Sequence, residues 1–351
     1  MKRRKRILIV RPDRIGDVIL ATPLIREIRK KYPDSFIGAL VNPYTKDILK
    51  NNPHLDMVFI DDPKDKENYL FFDQVKRLKS YKFNTGLMLL PTERHAWMLL
   101  LAGIMNRVGV GIKLYQILTL TRFVSRKKYI PLRHEADYCM DLGRKIGVTP
   151  SSLDPEIFIT EKEKQEFIKL HLSNKIFDRN GARFICIHPG SNKSAPNWNI
   201  ERYVQLTSLL LVDSRNIIFL TGNDNELHFV PRFKALNSDK IINFIGKLGL
   251  RELCVLISMM DILFSASTGP MHIASALKIP TVSLFCTLNA CSPKLWGPMG
   301  NISSIITPPD NFCRIECTDD PHNCDFKESI PVETVQDSIN KLLNNNLKIK
   351  I

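Results

Sequence analysis

The sequence predicts an α/β protein made of two doubly wound, Rossmann-like domains that face each other across a cleft. Three observations carry that reading. The chain has 351 residues, more than one hydrophobic core ordinarily serves. Short continuous apolar runs alternate with segments of helical spacing along its length. The alternation also restarts. Ile7-Leu8-Ile9-Val10 opens one series and Phe184-Ile185-Cys186-Ile187 opens another, after a Pro-, Ser- and charge-rich break between Thr149 and Gly181. The expected domains are 1–170 and 180–330, with 331–351 as a C-terminal helix and tail.

Ile7 to Val10 has the form of a fully buried parallel strand. Beyond it, Leu20, Leu24, Ile25 and Ile28 recur at helical spacing, with Arg26, Arg29 and Lys30 on the other side. The turn between them, Arg11 to Pro23, therefore joins a strand end to a helix start, where open α/β sheets bind ligands. Gly16 allows close backbone approach, and Asp17 either caps the helix or faces the cleft. Pro23 should kink or restart the helix. Further strands are expected at 36–41, 56–60 and 85–90, and helices at 69–79, 96–105 and 135–146; residues 115–130 show no clear period and read as irregular. In the second series, strands at 184–188, 216–220, 241–245, 262–265 and 281–285 alternate with helices at 200–212, from Asp224, at 250–260 and at 270–277. The strand at 281–285 closes the series, and a last helix covers 332–343.

Composition bounds the partners. Apolar content of 44% and charged content of 25% are ordinary for a globular protein. Fifty basic against 36 acidic residues give a net charge of +14, which favours a phosphate-bearing partner or an anionic membrane face. The run Lys2 to Arg6 enters the first strand directly, with no secretory leader pattern, and the longest apolar stretch, Ala96 to Ile104, is broken by Gly103. A cytoplasmic chain touching the inner membrane face is expected, with no nucleic-acid partner. Eight cysteines without a leader argue against a disulfide framework. Cys313, Cys317 and Cys324, with His322 between, are weak metal-ligand candidates, because their spacing is looser than paired C-x2-C knuckles. No metal is expected to be required.

Three turns of the second series sit at strand ends. Gly190-Ser191-Asn192-Lys193-Ser194 offers backbone N–H groups, hydroxyls and an ammonium to a phosphate. Ser267-Thr268-Gly269-Pro270-Met271-His272 has the same placement; Gly269 permits close approach and Pro270 suits a first helical turn. His272 either reaches a phosphate or packs in the core. Glu226 follows Gly222 where nucleotide folds hold a ribose hydroxyl, or else it only stabilises the helix start. Together the turns describe a nucleotide diphosphate site. Neither G-x-G-x-x-G nor a P-loop motif follows either first strand, which disfavours a dehydrogenase and P-loop phosphoryl transfer.

The combined pattern of Arg11-x4-Gly16-Asp17-Val18-x-Leu20 with Pro23, His188-Pro-Gly-Ser with Trp198, Ser267-Thr-Gly-Pro-Met-His272-x-Ala-x-Ala-Leu and Ser292-Pro-x2-Trp296-Gly-Pro resembles glycosyltransferase family 9, the ADP-heptose:lipopolysaccharide heptosyltransferases. The resemblance runs over nearly the whole chain. It implies the GT-B glycosyltransferase fold and inverting transfer of a heptose from an ADP-sugar to the lipopolysaccharide inner core. It further implies Asp17 as catalytic base, Ser191 and Asn192 at the donor diphosphate, Glu226 on the donor ribose, and Ser267, Thr268, Gly269 and His272 as the phosphate turn. Two positions depart from the pattern. Asn197 stands before Trp198 where many members carry Lys or Arg, with Lys193 as the candidate replacement, and Ser267 stands where many carry Asp.

The expected mechanism is a metal-independent transfer without cofactor. Asp17 takes the acceptor proton, supported by Gly16 and Arg11 in the loop, and Asp13 is the competing carboxylate. Helix N-termini, Lys193 and His272 stabilise the departing diphosphate. The implied partners are a nucleotide sugar and a phosphorylated, lipid-linked saccharide. Alternatives are a GT-B sugar-nucleotide epimerase, a relative using another donor or a surface-polysaccharide acceptor, and a non-catalytic envelope-lipid scaffold.

Overall fold

A computed structural model describes residues 4–65, 67–126, 130–172, 181–309, 311–312 and 323–349, with side chains described to 344. The chain divides into two compact units, Met1–Phe158 and Ile159–Ile351.

The first unit is a six-stranded sheet of β1 (Arg6–Val10), β2 (Phe36–Val41), β3 (Met57–Ile60), β4 (Thr85–Met88), β5 (Asn106–Val110) and β6 (Arg122–Val124), in the order β3-β2-β1-β4-β5-β6. Every pair is parallel. Ile7 to Val10 are buried on both faces, which is why that strand reads as an unbroken apolar run rather than an alternation. Leu8, Val10, Leu40, Phe59, Met88 and Leu99 form the heart of the core.

The second unit repeats the design with β7 (Arg183–His188), β8 (Asn216–Gly222), β9 (Ile241–Ile245), β10 (Ile262–Ala266), β11 (Thr281–Leu284) and β12 (Ser303–Ile306), ordered β12-β11-β10-β7-β8-β9. These pairs are parallel as well. In each unit the first strand is central, and the chain winds outward on one side before crossing to the other. That is the doubly wound order, with a topological switch point beside β1 and beside β7.

Four details differ from the sequence reading. Residues 115–130 are not irregular throughout: a short helix, Leu114–Leu118, precedes edge strand β6. β12 extends the second sheet past the strand at 281–284. These two edge strands, β6 and β12, are short and mixed in character (Arg-Phe-Val and Ser-Ser-Ile-Ile), so neither shows a buried-strand pattern. The division falls at Phe158, so the helix Glu161–His171 joins the second unit: Phe167 packs on Phe244 with ring centroids 5.9 Å apart, and Arg251 pairs with Glu163 at 2.9 Å. The final helix, Val332–Ile349, is no detached tail, since Val335 and Ile339 are buried in the second core.

Pro23 restarts the helix. Ile15–Leu20 ends at Ala21, and a new helix, Thr22–Lys31, begins with Pro23 in its first turn, where its missing N–H has no helical partner to lose.

Candidate functional site

The loop after β1 leaves the first sheet at its switch point. Arg11 N–H donates to Leu40 on β2, and Leu89 N–H, just past β4, donates to Val10. Arg11 is buried, and its Nη1 donates to the Leu89 carbonyl at 3.3 Å, so the guanidinium spans the gap between diverging strands. Its Nη2 donates to Asp17 and, at 3.1 Å, to Glu135 Oε1. Glu135 opens the helix Glu135–Arg144, is itself buried, and also pairs with Arg126.

Asp17 is not the N-cap. Arg14 holds that position without a side-chain cap bond, and Asp17 is the third helical residue of Ile15–Leu20. Burial pushes the Asp17 carboxyl up from its ordinary range, Arg11 opposes this, and Asp13 adds to it. Desolvation prevails, leaving a carboxylate more basic than a surface aspartate and still 15% exposed. Asp13 acts differently. Its Oδ1 accepts the Arg14 N–H at 2.9 Å, shaping the turn, and its other oxygen stands 3.7 Å from Arg11. Of the two carboxylates, Asp17 is the less exposed, at 15% against 22%.

In the second unit the three turns follow β10, β7 and β8, which lie side by side. Gly190 and Glu226 meet across the β7 and β8 ends. A Cβ on Gly190 would fall 1.6 Å from Glu226 Oε1, and one on Gly222 would fall 2.8 Å from Oε2. Only glycine lets this carboxylate lie against both strand ends. Glu226 is buried, and burial pushes its carboxyl up, although its Oε2 accepts the Asn223 N–H at 2.8 Å. The helix-start role considered from sequence is thus real, as a capping box at the start of the 3-10 segment Asp224–Phe229. The other oxygen, Oε1, lies over Gly190.

The turn after Gly190 is tight. Ser194 N–H and Oγ both donate to the Ser191 carbonyl, at 2.9 and 2.7 Å. Asn192 and Lys193 stand in the left-handed region at φ 45° and 55°. Two successive non-glycine residues there carry local strain, which folded proteins keep chiefly where a turn must present its backbone. Asn197, in the position expected to be cationic, is structural: Nδ2 donates to the Pro189 carbonyl at 2.7 Å and Oδ1 accepts from Tyr203 OH at 2.7 Å. It ties the turn to the helix Ile200–Leu211. Trp198 packs edge-on against Tyr203 and Phe264. Beneath them, His188 Nδ1 lies 3.0 Å from Thr221 Oγ1, and burial holds the imidazole at a pKa of about 4, hence neutral at pH 7.

After β10, Thr268 is the N-cap of the helix Gly269–Ala276 and makes no side-chain cap bond, its hydroxyl turning back to Ala266 O at 3.4 Å. The first N–H groups of this helix are therefore not capped by a side chain. Ser267 and Gly269 are half-buried and Thr268 is buried. His272 is buried one turn in, edge-on to Trp296 at 6.5 Å.

Sequence reasoning missed Glu135 and Thr221, although Glu135 is the first acid after a long acid-free stretch. Cys313, Cys317 and His322 lie outside the described residues, and Cys324 is half-buried. Among the described residues no three His, Cys, Asp or Glu side chains are grouped for a metal, and no helix is long and apolar enough to cross a membrane.

A sequence profile of glycosyltransferase family 9 (heptosyltransferase) matches residues 72–320. The chain is 26% identical over 308 residues to the lipopolysaccharide core heptosyltransferase OpsX of Haemophilus influenzae, a match covering 86% of this chain and 84% of that protein. It also resembles the solved structures of Escherichia coli ADP-heptose lipopolysaccharide heptosyltransferase II (TM-score 0.78, 20% identity, 97% and 99% of the two chains) and of E. coli heptosyltransferase WaaC with ADP (TM-score 0.70, 15% identity, 96% and 99%). Those two likenesses bear out the GT-B glycosyltransferase fold.

Proposed function

Because the chain belongs to glycosyltransferase family 9, the heptosyltransferase family, we propose that it transfers a heptose from ADP-heptose to a lipopolysaccharide core acceptor, with Asp17 as general base. The observation that carries this reading is the desolvated Asp17 carboxyl on the Arg11 guanidinium at the first switch point.

In the proposed reaction, an acceptor O–H gives its proton to an Asp17 carboxylate oxygen while the acceptor oxygen attacks the anomeric carbon. The bond from that carbon to the diphosphate oxygen breaks, and its electron pair leaves on ADP. Attack opposite the leaving group inverts the anomeric centre through an oxocarbenium-like transition state. A base of raised pKa suits this step, because its proton affinity lies closer to that of the group it deprotonates.

Donor binding falls to the second unit. Glu226 Oε1 receives the ribose hydroxyls beside Gly190. The turn Ser191–Ser194, with Lys193, and the Gly269 helix start receive the diphosphate through N–H groups and the helix dipole. Support comes from the strained turn and the helix start without a side-chain cap on adjacent strands, and from the relative solved with ADP. His272, buried one turn along, positions this turn.

The test is incubation with ADP-heptose and a core acceptor lacking the added sugar, read by ADP release and acceptor mass. One heptose gained per ADP is expected. Turnover of a different nucleotide sugar with ADP-heptose inert would overturn the donor assignment.

A further inference from the structure

Residues 112–123 of the first unit expose six large apolar side chains in a stretch of twelve residues. Leu114 is 72% and Leu120 77% exposed, and Ile112, Ile117, Leu118 and Phe123 are about half exposed or more. This is no loose loop. Gln116 is buried and donates to Val110 O at 3.3 Å, Tyr115 OH donates to Pro91 O at 2.8 Å, and Arg107 donates twice to Thr119 O, at 2.9 and 2.6 Å. The short helix Leu114–Leu118 and edge strand β6 are thus pinned from within while their apolar side chains stay outside. Ordered apolar surface of this kind marks a contact with something else.

The surrounding charge says what. From Arg94 to His134 the chain has no Asp or Glu in 41 residues and eight Lys or Arg. Lys113 and Arg122, exposed within the patch, are both basic. A second copy docked through the same face would set like charges against each other, because a two-fold contact pairs a patch with itself. An apolar stripe whose own charged residues, Lys113 and Arg122, are both cations matches a lipid surface with anionic headgroups.

We infer that the face formed by Ile112 to Phe123 docks on an anionic lipid bilayer, with Leu114, Ile117, Leu118 and Leu120 among the acyl chains and Lys113 and Arg122 at the headgroups. This deepens the proposed function, on which it rests, by naming the surface that brings the unit carrying Asp17 to a lipid-linked substrate. It also names a different face from the basic run Lys2 to Arg6.

The experiment is vesicle flotation of three chains: the intact protein, the variant Leu114→Ser/Ile117→Ser/Leu118→Ser, and a chain lacking residues 2–4. The intact and shortened chains should float with phosphatidylglycerol-containing vesicles and not with pure phosphatidylcholine, and added salt should weaken the binding. The triple variant should lose about tenfold or more in binding, while keeping its melting temperature and its transfer rate on a delipidated acceptor. Equal flotation of variant and intact chains overturns the inference. So does an intact chain that sediments as a dimer while the variant is a monomer, which would give the face to a second copy. An intact chain that floats but turns over no ADP-heptose overturns the donor reading alone.

Discussion

Arg11 Nη2 donates both to Asp17 and to Glu135 Oε1, the latter at 3.1 Å, so one buried guanidinium nitrogen serves two carboxylates 118 residues apart (135 − 17) in the chain. Glu135 in turn pairs with Arg126, whose guanidinium lies over the Tyr138 ring at 4.5 Å. Asp17 therefore shares its guanidinium partner with a carboxylate on another helix.

Asp17→Asn removes the proton acceptor while keeping shape and most hydrogen bonding. Transfer should fall roughly a hundred- to ten-thousandfold, with ADP affinity unchanged in a calorimetric titration. Near-normal turnover would move the base role to Asp13.

Glu135→Gln should shift the pH profile. Removing that negative charge leaves Arg11 more fully to Asp17, and both effects favour the ionised Asp17 carboxylate. Its pKa should fall, so the acid limb of kcat/KM moves to lower pH, and the plateau drops because the base is weaker. A merely structural role for Glu135 would lower the melting temperature and leave the limb in place.

Gly190→Ala should mimic damage to Glu226. The added Cβ would sit 1.6 Å from Glu226 Oε1 and force the carboxylate away. Both Gly190→Ala and Glu226→Gln should raise KM for the nucleotide sugar about tenfold, the scale of one charged hydrogen bond, with a smaller change in kcat. An unchanged KM in Glu226→Gln would remove that residue from the donor site.

Acid should destabilise the two units in different ranges. His188 has a folded pKa of about 4, below its unfolded value, so the stability tied to its neutral form is present above roughly pH 6.5 and is lost as pH falls through 4. Glu27 is buried, which by itself raises its pKa, but bonds from Lys30, Arg26 and Ser151 outweigh this and hold it at about 2. Its contribution, about 3 kcal/mol, is present above the unfolded pKa and is lost as pH falls from about 4.5 through 2. Thermal melts against pH should show Glu27→Gln flattening only the lower range.

Much of the candidate site was legible in sequence because its signals are local. The apolar run before Arg11, the Gly16-Asp17 turn, and the Gly190-Ser191 and Thr268-Gly269 turns each lie within a few residues of a strand end, where backbone geometry demands small and polar side chains. Pro23 was readable for the same reason. The edge strands β6 and β12 were not, since Arg122-Phe123-Val124 and Ser303-Ser304-Ile305-Ile306 are half-exposed and lack the two-sided apolar pattern of β1 or β7.

The sequence by itself determined the doubly wound class of both units and pointed to Asp17, Glu226 and the two turns as candidate site residues at strand ends, because periodicity and turn chemistry are properties of neighbours in the chain. Only the tertiary structure gave Asp17 and Asp13 different surroundings, assigned Asn197 a structural role, and brought Glu135 to Arg11. Those outcomes depend on burial and on charges supplied by residues far away in sequence, and desolvation is a property of the folded surroundings rather than of the residue that bears it.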